Sequence, residues 1–122
     1  MGIPASQRLR KQSDFQQVRR SEHRIHCGPF VFQCEPGQEG STELPSVGVI
    51  ASRRVGNAVV RNRGKRLVRE LFRHHASMLP GGSRVVVVLR AGYRRFSFAE
   101  LDAQFIKCCE RVLKKSSGGH VS

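Results

Sequence analysis

Hydrophobic and polar positions along this chain change their spacing several times, and each change indicates a helix or a strand. In the segment FVFQC, the residues Phe30, Phe32 and Cys34 recur at every second position, which predicts a strand with one face in the core. Residues 46–52 predict a second long strand. Residues 84–89 contain a continuous β-branched run, which is typical of a strand covered on both faces.

Three other segments have the spacing of helices. The longest begins after Asn57, a residue type that favours the N-cap, and runs from about residue 58 to residue 78, before Pro80 and two glycines stop it. A first helix over about 13–20 and a last helix over about 97–115 each begin with a capping box. The two boxes are Ser13 with Gln16, and Ser97 with Glu100.

The order of these elements predicts one α+β domain over residues 1–122, an α/β sandwich in which helices pack on a single sheet. The order is α-β-β-α-β-α, and a short extra strand near residues 23–27 would give the sheet four strands. Residues 1–12 and residues 116–122 are polar, and we expect both ends to be flexible.

The charge of the chain indicates a polyanionic partner. The net charge is +13 and the isoelectric point is about 11.2, an excess that attracts nucleic acids non-specifically. The longest apolar run, residues 85–89, is far too short to cross a membrane. The four cysteines have no paired metal or disulfide spacing, so reduced thiols in a cytoplasmic protein are the simplest interpretation.

The long helix is amphipathic, with apolar residues on one side and a cationic outer face. The outer face and its borders carry Arg61, Asn62, Arg63, Lys65, Arg66, Arg69 and Arg73. Like charges four residues apart cost about 0.2–0.5 kcal/mol per pair, and a pair between Arg66 and Glu70 offsets little of this. Stability alone would favour alternating charges, so we interpret this face as phosphate-binding. Asn62 either reads a base edge or a 2′-hydroxyl, or is an ordinary surface residue.

The motifs in this helix resemble those of a known family. They are Arg61-Asn62-Arg63, Lys65-Arg66 and Arg69-Glu70-Leu71-Phe72-Arg73, and the N-terminal segment RLRKQSDFQQV adds an Arg-Leu and an Asp-Phe-x-x-Val. Together with the length, the charge and the element order, they are similar to the protein subunit of bacterial ribonuclease P over nearly the whole chain.

This resemblance implies a ribonucleoprotein endonuclease that removes the 5′ leader from precursor tRNA. The RNA subunit performs the hydrolysis with bound Mg²⁺, so this chain is the non-catalytic protein subunit, with no catalytic or metal-binding residue of its own. Its partners are that RNA and precursor tRNA, without an obligate protein partner. The resemblance also implies a left-handed βαβ crossover around the basic helix, although right-handed connections are the strong default.

Two groups of site residues follow from the resemblance. The RNA-binding group comprises Arg53, Arg54, Asn57, Arg61, Asn62, Arg63, Lys65, Arg66, Arg69 and Arg73. The leader-binding group comprises Phe15, Arg19, Val31 and Gln33, in a cleft between the first helix, the exposed sheet face and the basic helix. Many members have aromatic residues where Arg19 and Gln33 stand. A guanidinium can still stack on a base, whereas stacking at Gln33 is lost. Phe15 either stacks on the leader or belongs to the core.

Two other interpretations remain open at this point. A metal-dependent nuclease needs several convergent carboxylates, and this chain has only nine acids. His23 with His26, and the adjacent His74 and His75, suggest a metal site or a general base, although consecutive helical residues point about 100° apart. The same charge and the same fold would serve a ribosomal protein or a general RNA chaperone without a processing role equally well.

Overall fold

The helices and strands expected from the sequence are present in the computed structural model, which describes residues 7–9, 11–20, 24–37 and 41–118 of the chain. In chain order they are α1 (Gln12–Arg19), β1 (Arg24–Cys27), β2 (Phe30–Glu35), β3 (Ser46–Ala51), α2 (Ala58–His75), β4 (Arg84–Leu89) and α3 (Phe98–Gly118). Short 3-10 turns lie at Arg53–Val55, Ala76–Met78 and Tyr93–Arg95.

The strands form one mixed sheet with the order β1-β2-β4-β3. β2 is antiparallel to both β1 and β4, whereas β3 and β4 are parallel. Two parallel neighbours need a crossover connection, and α2 provides it. The short extra strand expected near residues 23–27 is β1, at one edge of the sheet. This arrangement confirms the predicted α+β sandwich.

The two long helices pack on one face of the sheet and enclose the core there. α2 lies against β3 and β4, and α3 lies against β1 and β2. Phe105 of α3 contacts Phe30 and Phe32 edge-to-face, with ring centroids 5.9 and 5.4 Å apart. Cys34 is buried on the same face, so the alternation in β2 correctly predicted which side of this strand is in the core.

The first helix packs on the opposite face of the sheet, against β2 and β4. Its Val18 is fully buried, as is Val86 of β4 beneath it. β4 is therefore covered on both faces at Val86, as its continuous β-branched run predicts. A helix of eight residues is too short to be stable alone, so α1 depends on its contacts with the sheet.

The caps of the two long helices confirm the sequence prediction. The Asn57 side chain accepts a hydrogen bond from the backbone N–H of Val60 at 3.0 Å. The α-helix that follows ends three residues earlier than predicted, and a 3-10 turn extends it to Met78. Ser97 and Glu100 form the expected capping box, with distances of 2.8 and 3.1 Å from backbone N–H groups to side-chain oxygens.

The capping box predicted for the first helix is wrong. α1 begins at Gln12, and Lys11 occupies the N-cap without a side-chain hydrogen bond. The Lys11 carbonyl already accepts the N–H of Phe15 at 3.3 Å, which places Ser13 inside the first turn. Packing of Val18 and Phe15 on the sheet determines where this helix starts, and the local capping preference does not.

Parts of both chain ends that were expected to be flexible have defined backbone structure. Arg8 forms a parallel bridge with Val47 of β3, and the N–H of Leu9 donates to the Val47 carbonyl at 3.0 Å. At the other end α3 continues to Gly118. The predicted flexibility of residues 1–6, 10 and 119–122 concerns positions outside the described residues.

Candidate RNA-binding surfaces

The inner side of α2 fixes this helix firmly against the sheet. Its buried residues are Gly64, Val68, Leu71 and Phe72. A Cβ atom at Gly64 would lie 2.3 Å from a methyl group of Leu89, so only glycine allows this close approach. The hydroxyl of Tyr93 donates to the Val60 carbonyl at 2.7 Å and fastens the start of α2 to the turn after β4.

The outer side of α2 is cationic, as the helical pattern predicts. Asn62, Arg63, Arg66 and Arg73 are exposed, and Arg61, Lys65 and Arg69 are half-buried at the borders. Arg53 and Arg54 are exposed in the turn before α2, and Asn57 is its exposed N-cap. All ten residues predicted to bind RNA therefore belong to this helix or to the turn that precedes it.

The acid of this helix pairs differently from the sequence expectation. Oε1 of Glu70 lies 2.5 Å from Nη2 of Arg73 and 3.1 Å from Nε2 of His74. The predicted pair between Glu70 and Arg66 is therefore wrong. The hydrogen bond from Arg73 lowers the pKa of Glu70 below its ordinary value. Within the described residues Arg66 has no ion pair, and its charge is available to a partner, whereas that of Arg73 is shared with Glu70.

Cations from distant parts of the chain join this surface, and sequence reasoning missed them. Burial, and after it the charge of nearby Arg8, lowers the pKa of Arg69 below its ordinary value. Arg8 is near α2 because its segment docks along β3. Arg94 and Arg95 line a recess at the start of α2 together with Asn57. The basic strings RLR and YRR were the only signals in the sequence, and neither indicates proximity to α2.

The face of the sheet that carries α1 is only partly covered, and we call the open part beside α1 the groove. The resemblance implied that the basic helix also borders this cleft, whereas α2 packs on the other face of the sheet. Val31, Val88 and Ile50 are cross-strand neighbours in one row, and all three are half-buried. The Phe15 ring lies on the backbone of Gly48, where a Cβ atom would be 2.4 Å from two ring carbons. Phe15 is half-buried on this outer face and is not part of the core between the sheet and the long helices.

The other two residues predicted to line the cleft have different environments. Arg19 is exposed at the end of α1. Gln33 is fully buried, and its Nε2 donates to the Arg19 carbonyl at 3.0 Å. The expectation that Gln33 lies on the accessible cleft surface is therefore wrong, because α1 covers this row of the sheet. Gln33 instead fixes the end of α1.

A second polar contact fixes the start of α1. Arg84 of β4 donates from Nη1 to Asp14 of α1 at 3.2 Å, and from Nε to Glu35 of β2 at 3.0 Å. The two contacts join α1 to both central strands. They also place a guanidinium beside both carboxylates, which reduces their repulsion of a polyanion in the groove.

Two histidines of α2 contact carboxylates, and each contacts a different one. His74 bonds Glu70, whereas His75 bonds Asp102 of α3 at 2.6 Å. No group of three or more His, Cys, Asp or Glu converges in the described part of the chain, and His23 lies outside it. A two-metal hydrolase needs several convergent carboxylates, so the described residues offer no support for a nuclease site.

None of the four cysteines forms a disulfide bond, and all four are buried. Burial raises the pKa of Cys34 and of Cys109 to about 12, so both thiols are protonated at neutral pH. In the residues that the structure describes, no helix is long and apolar enough to cross a membrane.

The fold and the two surfaces define a class: a small, basic α+β protein built to bind nucleic acid. The family model described as Ribonuclease P matches residues 3–113, and the chain belongs to this family. The ribonuclease P protein component of Nocardioides sp. is 34% identical over 116 residues, which cover 95% of this chain and 99% of the relative. That of Geotalea uraniireducens is 32% identical, covering 92% and 96%.

Solved structures of this family have the same fold. The RNase P protein from Thermotoga maritima has a TM-score of 0.72 at 27% identity, covering 85% of this chain and 96% of that chain. The protein from Staphylococcus aureus has a TM-score of 0.71 at 25% identity, covering 85% and 93%. This chain is thus a protein subunit of an endoribonuclease of tRNA 5′ maturation whose RNA subunit carries the chemistry, and the ribosomal-protein alternative is set aside.

Proposed function

We propose that the outer face of α2 binds the catalytic RNA subunit, while the groove beside α1 binds the single-stranded 5′ leader of precursor tRNA. The observation that carries this proposal is the position of the two surfaces. α2 and α1 pack on opposite faces of one sheet. One small domain can then hold two RNA segments at the same time, in the cytoplasm where tRNA is processed.

The chemistry of each surface suits its proposed partner. The outer face of α2 presents guanidinium and ammonium groups, which bind phosphates irrespective of sequence. The groove combines the Phe15 ring and the apolar row of Val31, Val88 and Ile50 with the exposed cation Arg19. Single-stranded RNA is bound by such combinations of stacking surfaces and positive charge.

The role of Mg²⁺ belongs to the RNA partner in this proposal. The cationic side chains of α2 supply part of the counterion screening that Mg²⁺ otherwise supplies between RNA strands. We therefore expect the stimulation of cleavage by this chain to be largest at low Mg²⁺. Equal stimulation at all Mg²⁺ concentrations, measured with the reconstituted holoenzyme, would contradict this role.

The test of leader binding uses precursor tRNAs whose leaders increase from one nucleotide to about eight, within the usual site size for single strands. The affinity of the holoenzyme for each precursor is compared with its affinity for mature tRNA. We expect the ratio to rise with leader length and then to level off. A ratio that does not depend on leader length would show that the groove does not bind the leader.

A further inference from the structure

The edge strand β1 extends the groove face of the sheet beyond the four predicted leader residues. Along β1, Ile25 and Cys27 are buried in the core, so Arg24 and His26 lie on the opposite face, and both are exposed. In the register of β1 with β2, Arg24 is opposite Gln33 and His26 is opposite Val31. His26 therefore continues the open row that runs from Ile50 through Val88 and Val31.

The end of α1 lies near Arg24. The Arg19 carbonyl is bonded to Gln33, which is the cross-strand partner of Arg24. Arg19 and Arg24 are both exposed there. The only carboxylate that the described strands place on this face is Glu35, and it is already bonded to Arg84. On this face of the sheet, the described residues near β1 thus combine the guanidinium groups of Arg19 and Arg24 with the ring of His26.

We propose that Arg24 and His26, together with Arg19, form a subsite for one nucleotide of the leader, and this inference rests on the proposed leader-binding function. The imidazole stacks on the base, and the two guanidinium groups contact the adjacent phosphates. Neighbouring strands are about 4.8 Å apart, so His26 lies one strand spacing beyond Val31. The subsite therefore acts only on leaders long enough to cross β2 and reach the edge of the sheet.

The first test measures holoenzyme affinity for the precursor series with His26→Ala and Arg24→Ala. His26→Ala should weaken binding of long-leader precursors by about fivefold or more, the loss expected for one stacked base. Short-leader precursors and mature tRNA should be unaffected, and His26→Phe should retain the affinity for long leaders. The slope of the logarithm of the binding constant against the logarithm of the salt concentration reports phosphate contacts. Arg24→Ala should lower this slope for long leaders by about 0.7 or less, as expected for one phosphate contact on a single strand.

Arg111→Ala is the matched control for charge. Arg111 is an exposed cation of α3 whose guanidinium reaches the carbonyl of His26 at 3.4 Å. It lies at the same edge of the sheet but on the side of the core helices. If Arg111→Ala and Arg24→Ala have the same effect, the effect is general electrostatic attraction and the subsite is wrong.

The second test locates the RNA without measuring activity. All four native cysteines are buried, so His26→Cys introduces a single accessible thiol. A photoreactive group attached to this thiol in the holoenzyme should crosslink to one leader nucleotide of a bound precursor. Crosslinks confined to the tRNA body or to the RNA subunit would overturn the subsite.

The results also separate this inference from the function on which it rests. If wild-type affinity does not depend on leader length, both are wrong. If it does depend on leader length, and neither His26→Ala nor Arg24→Ala changes that dependence, only the subsite is wrong. An equal loss for every leader length and for mature tRNA overturns the subsite as well, because it shows a general effect on binding.

Discussion

Replacing Gly48 with alanine should lift the Phe15 ring from the floor of the groove. The new Cβ atom would lie 2.4 Å from both Cε1 and Cζ of Phe15, and ordinary contact begins at 3.4 Å, so the ring must move by about 1 Å. Gly48 is held in β3 by its pairing with β4, opposite Val86, so the backbone cannot easily yield. The substitution changes the backbone position on which the Phe15 ring rests, without changing Phe15 itself.

The structure sets the size of the effect on stability. Overpacking of this kind costs about 1–3 kcal/mol, and Gly48→Ala should lower the free energy of unfolding by this amount. In a Phe15→Ala background the ring is absent and most of the cost should disappear. A double-mutant cycle from urea unfolding should therefore give a coupling energy of about 1–2 kcal/mol between the two positions.

The effect on binding is read from the ratio of precursor affinity to mature-tRNA affinity. Gly48→Ala and Phe15→Ala should each lower this ratio by about fivefold or more, because one stack between a base and an aromatic ring is worth about 1–3 kcal/mol. Phe15→Leu is the control for stability, since it keeps apolar contact with Gly48 but removes the ring. It should lower the ratio with little loss of stability.

Two results would refute this reasoning in different ways. Additive losses of stability would show that the Phe15 ring does not rest on Gly48. A precursor-to-product ratio that stays unchanged in both alanine variants, with coupled losses of stability, would show that Phe15 is only a packing residue of α1.

Other predictions follow from individual contacts. Arg66→Ala should weaken binding of the RNA subunit more than Arg73→Ala, because Arg73 is already paired with Glu70; equal losses in a filter-binding assay would contradict this. Glu70→Gln should strengthen RNA binding, since it frees Arg73 and removes a negative charge. It should also steepen the slope of the logarithm of the binding constant against the logarithm of the salt concentration by about 0.9 or less; a titration at several salt concentrations checks this. Tyr93→Phe removes the hydrogen bond to the Val60 carbonyl and should lower stability by about 0.5–1.5 kcal/mol while RNA affinity stays constant.

Local patterns determined most of the secondary structure. The Asn57 N-cap and the Ser97–Glu100 capping box are correct because each depends only on residues three positions apart. The same local rule failed at Ser13, where packing on the sheet moved the start of a short helix. A rule based on neighbouring residues holds where the helix is long, and it fails where tertiary contacts supply most of the stability.

The candidate RNA-binding face of α2 was also predictable, because a helix of 18 residues fixes the relative directions of its own side chains. The pairing within that face was not, since Glu70 has cations both three and four residues away and Arg73 is the partner it contacts. Side-chain conformation decides between such neighbours, and the spacing alone does not.

The sequence by itself determined which face of β2 is in the core, which side of α2 is cationic, and, through its motifs, the family. Only the tertiary structure decided which sheet residues remain open to RNA. Val31 and Gln33 are both on the groove face, yet α1 covers Gln33 and leaves Val31 half-buried. Only the structure brought Arg8 close to Arg69, and Arg24 and His26 into line with Val31. The physical reason is that periodicity acts within one element, whereas these positions depend on strand register and on where a short helix docks.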